Sequence, residues 1–115
     1  MLPTLPTSTA WAVLAVAIVL EVGGTTSMRL SEGLSRLGPS VAMFAFYACA
    51  FVLNAMVIRT LGLSVVYAVW SGAGTVLTAL VGYWYFKEPA TALKVFSAGL
   101  IVLGVIGMHM GSRQA

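Results

Sequence analysis

Residues 11–28 read WAVLAVAIVLEVGGTTSM, a run in which Glu21 is the single charged side chain. A stretch this long and this apolar crosses a hydrocarbon core of roughly 30 Å at about 1.5 Å per residue. It must be helical, because lipid offers backbone amides and carbonyls no other hydrogen-bond partners. Its one acid lies near the middle. An ionisable side chain at bilayer depth costs several kcal/mol, about 3 or more, and is a functional-site hypothesis by default.

Working outward, three more apolar runs follow, at residues 41–58, 63–86 and 92–110. Of the 115 residues, 60% are apolar and 8% charged, against about 25% charged in an ordinary soluble domain. So few charges cannot cover a water-soluble surface. Cys49 is the only cysteine, which excludes a disulfide scaffold, and the hydrophobicity excludes disorder. Four segments cannot close a barrel. The expected fold is an all-α membrane protein, residues 1–115 forming one four-helix transmembrane domain with no room for an extramembrane one. A cleaved leader is not expected, since no basic residue precedes Arg29.

The breaks between runs carry turn chemistry. Residues 29–40 (RLSEGLSRLGPS) hold Gly33 and the Gly38-Pro39 pair; Thr60-Leu61-Gly62 makes a tight hairpin; Lys87-Glu88-Pro89 separates the last two spans. Pro89 suits the first turn of the fourth helix. MLPTLPTSTA and GSRQA read as polar tails. With four spans, Arg59 and Arg113 fall on one side and Arg29, Arg36, Lys87 and Lys94 on the other. That is a weak bias by the positive-inside rule, compatible with insertion both ways up.

Glu21 is the only acid inside a span, since Glu32 and Glu88 lie in connections. No lysine, arginine or histidine at its depth can neutralise it. Its charged form therefore calls for a proton or a cationic ligand from outside, two mutually exclusive occupants of one site. At helical spacings its face holds Leu14, Ala17 and Ile18 on one side and Gly24 and Thr25 on the other. Small residues there leave volume for a ligand, or for close helix packing. On the third helix Tyr67, Trp70, Ser71 and Gly74 share a stripe. Aromatic faces attract organic cations, and the Tyr hydroxyl and indole N–H can reach a carboxylate. Tyr47 and Phe51 offer a similar face on the second helix, whereas residues 83–86 read as an interfacial aromatic belt. Gly72 and Gly74 suggest a hinge or close packing in mid-helix. On the fourth helix Ser97, Gly104 and Gly107 suit a helix–helix interface. A dimer contributing two Glu21 carboxylates is the economical chamber.

The chain has no nucleophile–base pair, metal-ligand cluster or phosphate loop, so no enzyme, cofactor or metal is expected. The net charge of +3 lies in connections and tails and meets lipid headgroups rather than nucleic acid.

These residues resemble the small multidrug resistance family of four-helix proton-coupled exporters. The resemblance covers roughly residues 11–109 and is carried by EVGGTTSMRLSEGLSRLGPS (21–40), VVYAVWSGAG (65–74) and SAGLIVLGV (97–105). It implies a multi-pass protein of the bacterial inner membrane, working as an antiparallel, dual-topology homodimer on organic cations. It implies that Glu21 binds proton and substrate in turn and that Tyr67 and Trp70 are site aromatics. It further implies that Leu14, Ala17, Ile18, Gly24, Thr25, Tyr47 and Phe51 line the chamber, that Gly72 and Gly74 form a kink, and that residues 97–105 dimerise. Gly24-Thr25 is similar to the branch exporting quaternary ammonium compounds; the guanidinium-exporting branch typically has Trp at the position of Gly24. Ala50 stands where members often carry serine, and the stretch 86–89 is also seen in guanidinium exporters. The alternatives are export of guanidinium-type cations, or service as one subunit of a heterodimeric pair.

Overall fold

The computed structural model describes residues 4–114, with side chains through residue 111. Four helices follow in order: α1 (Thr7–Leu30), α2 (Leu37–Leu61), α3 (Leu63–Trp84) and α4 (Ala92–Gln114). Among the described residues there is no strand. All four are long and apolar enough to cross a membrane, α4 over Ala92–Gly111. At about 1.5 Å per residue each is more than 30 Å long.

The chain divides into two compact units, Met1–Gly62 and Leu63–Ala115. In the first, α1 and α2 form an antiparallel pair. Ala10, Leu14, Ala17, Ile18, Gly24 and Ser27 are buried on α1, and Met43, Ala50, Asn54 and Val57 on α2. Spacings of three, four and seven make each set one stripe. Two hydrogen bonds pin the pair: Thr60 Oγ1 donates to the Leu5 carbonyl at 2.8 Å near one end, and Thr25 Oγ1 lies 2.9 Å from the Tyr47 hydroxyl near the other. In the second unit α3 and α4 are neighbours, and the buried residues of α3 include Val65, Val66, Gly72, Gly74 and Gly82.

The helix ends depart from the sequence expectations in several places. The N-terminal stretch is not wholly a tail, because Thr7 already begins α1 behind Pro6. α4 likewise runs on to Gln114; the Arg113 side chain, Met1–Pro3 and Ala115 lie outside the described residues. The Gly38-Pro39 pair is no break but part of the first turn of α2, where proline's missing N–H costs nothing. Pro89 is not in the first turn of α4. Thr91 caps that helix, its Oγ1 accepting the Lys94 N–H at 3.2 Å.

Two connections put residues other than glycine in left-handed backbone. Glu32, Gly33 and Leu34 have φ of 50°, 74° and 68°, an unusual run given the steric cost to L-residues. Buried Ser31 holds it: its Oγ donates to the Met28 carbonyl at 2.6 Å and accepts the Leu34 N–H at 3.1 Å. α3 ends at Trp84, two residues before the expected 86, because Lys87 turns left-handed (φ 61°). The Glu88 N–H then bonds the Gly82 carbonyl at 2.9 Å, so a carbonyl near the end of α3 finds its partner beyond the turn.

Candidate functional site

The α1–α2 pair assembles the polar cluster around Glu21. Thr25, one turn on, donates through Oγ1 to the Glu21 carbonyl at 3.1 Å and lies 3.4 Å from its Oε1. The same Oγ1 is 2.9 Å from the Tyr47 hydroxyl. Thr25 has one proton to give. With that proton directed at Glu21, Tyr47 is the donor to Thr25, and a chain runs from α2 through Thr25 to the acid. Oε2 of Glu21 is buried and, among the described residues, has no hydrogen-bond partner. One carboxylate oxygen is thus held and the other left unpartnered.

Tyr47 reaches this position because residue 24 is glycine. A Cβ there would stand 2.6 Å from Tyr47 Cε1 and 2.7 Å from Cδ1, closer than van der Waals contact permits. The ring lies where an alanine methyl would be. Phe51, one turn along α2, stacks on Tyr47 with centroids 6.2 Å apart and planes at 12°; Phe51 itself is 58% exposed. Leu14, Ala17 and Ile18 are buried.

The expected residues of the second unit are placed on α3 and α4. Tyr67 is 64% exposed, Trp70 half-buried, Ser71 exposed, and Gly72 and Gly74 buried. α3 remains helical through both glycines. A Cβ on Gly72 would collide with Val105 of α4, so this glycine lets the two helices approach. Ser97 and Gly104 are exposed. A groove of about 800 Å³ between α3 and α4 is bordered by Leu80, Tyr83, Trp84, Lys94 and Ile101 and includes none of the residues expected to bind proton or cation. Among the described residues no group of His, Cys, Asp and Glu could hold a metal ion.

Sequence reasoning missed Asn54. It is 6% exposed on the α2 stripe, and its Oδ1 is buried with no hydrogen-bond partner among the described residues. The signal was available: it is the only asparagine in the chain, set in an apolar span where polar side chains are costly.

Comparison with known proteins agrees with this architecture. A sequence profile describing the Small Multidrug Resistance protein family matches residues 9–101. The Bacillus subtilis (strain 168) membrane protein YvaE is 41% identical over 100 residues, 87% of this chain and 84% of its own. The multidrug resistance protein EbrB of the same organism is 38% identical, covering 89% of this chain and 87% of its own. A guanidinium exporter of Yersinia pseudotuberculosis is 37% identical, covering 90% of this chain and 99% of its own.

Proposed function

The chain belongs to the small multidrug resistance family, a multi-pass bacterial membrane protein and small-cation efflux transporter, and from that premise we propose that it is a proton-coupled antiporter in which Glu21 holds either a proton or an organic cation. The observation that carries this reading is the Glu21 carboxyl at mid-span, with Oε1 facing Thr25 and Oε2 buried without a partner. An unpaired buried carboxylate is expensive, and one positive occupant at a time relieves it. Proton and cation then compete, and a proton gradient drives the cation out by alternating access. The four helices act as one domain in each protomer. An antiparallel homodimer brings two Glu21 carboxylates, with Tyr67 and Trp70 as aromatic walls, into one chamber.

Lipophilic and quaternary ammonium cations are the proposed substrates. Gly24 supports this choice, because its missing side chain seats Tyr47 and its stacked partner Phe51, an aromatic face suited to such cations. Guanidinium-type cations are the second reading, favoured by the guanidinium exporter, which matches this chain almost as well as the multidrug protein does.

The test is cation binding to purified protein across pH, with tetraphenylphosphonium and guanidinium side by side. We expect tetraphenylphosphonium to bind more tightly as pH rises and to release protons. Glu21→Gln should assemble normally yet lose proton-coupled exchange in proteoliposomes. Normal exchange by that variant overturns the mechanism, and binding of guanidinium alone overturns the substrate class.

A further inference from the structure

Among the described residues, two side-chain oxygens in the α1–α2 pair are buried without a hydrogen-bond partner, Glu21 Oε2 and Asn54 Oδ1. They lie on facing helices, between the two hydrogen bonds that pin the antiparallel register. Helical side chains lean toward their own N-terminus. In an antiparallel pair the leans oppose, so Glu21 is directed toward the C-terminal half of α2 and Asn54 toward the C-terminal half of α1. Asn54 lies seven residues beyond Tyr47 and six before Thr60, and Glu21 four before Thr25. The two side chains therefore lean toward one another along the seam, past Ala17 and Ala50, both fully buried and neither offering a side-chain polar group.

The chemistry of the two oxygens is informative. An ionised carboxylate oxygen and an amide oxygen are both acceptors and cannot bond each other. Protonation changes one of them: Oε2 becomes a donor, and the amide oxygen becomes its complement. We propose that Asn54 is a positioning residue for proton exchange, its Oδ1 accepting the hydrogen bond of protonated Glu21, directly or across one water molecule. With Oδ1 turned toward Glu21 the proton-loaded state satisfies both buried groups, so Asn54 strengthens proton binding and makes the cation compete harder; with the amide turned over, Nδ2 would donate to the ionised carboxylate and the effect would have the opposite sign. The other ionisable side chains of these two helices do not substitute for it. Tyr47 meets Glu21 through Thr25, Cys49 is exposed, and Arg29 and Arg59 lie in the last turns of their helices.

This inference rests on proton–cation competition at Glu21, and its test separates the two. The measurement is tetraphenylphosphonium binding against pH for the wild type and Asn54→Leu. That cation has no N–H or O–H, so Asn54 cannot hydrogen-bond it directly. Losing an acceptor for protonated Glu21 should move the midpoint of the pH profile down by about half a unit to one unit, with affinity on the high-pH plateau unchanged. Asn54→Gln, which keeps an amide oxygen, should return the midpoint toward the wild type. If Asn54→Leu does not assemble, Asn54→Met carries the same expectation with a more adaptable side chain. An unmoved or raised midpoint, with or without a weakened plateau, overturns the role of Asn54 as acceptor and leaves the exchange mechanism standing. A wild type whose binding ignores pH overturns both.

Discussion

At the scale of single residues, Gly24 and Tyr47 form the sharpest structural constraint near the acid. A methyl at residue 24 collides with the middle of a rigid ring, so Tyr47 must swing away. Gly24→Ala should therefore break the Thr25–Tyr47 hydrogen bond and disturb the Tyr47–Phe51 stack. Tyr47→Phe removes the hydroxyl alone and isolates the hydrogen-bond part. One net hydrogen bond of about 0.5–1.5 kcal/mol corresponds to roughly a two- to tenfold change in affinity. The Gly24→Ala loss of tetraphenylphosphonium affinity should exceed that of Tyr47→Phe, read by titration calorimetry. Glu21 was legible from sequence because it stands alone in an apolar run. The Tyr47 seat was not, because it depends on which face α2 turns toward α1, and no spacing within either helix encodes that rotation.

Among the elements, α3 and α4 meet where Gly72 admits Val105. The glycine is a packing device in this pair, whatever further part it takes in a transport cycle. Gly72→Ala should lower stability by about 1–3 kcal/mol, the usual effect of overfilling a close contact. Combining it with Val105→Ala should recover most of the loss, because the second substitution removes the atoms that collide. Thermal unfolding in detergent for both single variants and the double variant measures this coupling. The helix ends show where periodicity stops being informative. Hydropathy located all four helices, but Lys87 and Leu34 adopt left-handed backbone that their residue types do not announce. Pro39 and Pro89 reversed their expected parts for the same reason: proline marks a boundary without saying on which side of it the helix lies.

For the whole molecule, the decisive observation is how much apolar surface faces outward. Leu93, Phe96 and Leu103 of α4 are 73%, 65% and 65% exposed, and none of the α4 membrane window is buried within the chain. A water-soluble protein could not tolerate such a face; lipid or another helix can cover it. The proposed dual topology makes a prediction at this scale. Reporters fused to the C-terminus should be found on both sides of the membrane in comparable amounts. Adding two lysines beside Arg36, on the side that already carries Arg29, Arg36, Lys87 and Lys94, strengthens the existing bias; it should shift most copies to one orientation by the positive-inside rule and reduce transport if the dimer is antiparallel.

The sequence by itself determined that the chain is a bundle of membrane helices, because twenty or so apolar residues have only one way to satisfy their backbone in lipid. It also determined where the costly charge lies, because a lone acid in an apolar run has no competitor for attention. Only the tertiary structure decided what surrounds that acid: Thr25 and Tyr47 linked by a hydrogen bond, one carboxylate oxygen unpartnered, and Asn54 buried on the facing helix. Composition and periodicity follow from each segment's dealings with lipid and its own backbone. The contacts follow from the register and rotation of one helix against another, which are set jointly by both surfaces.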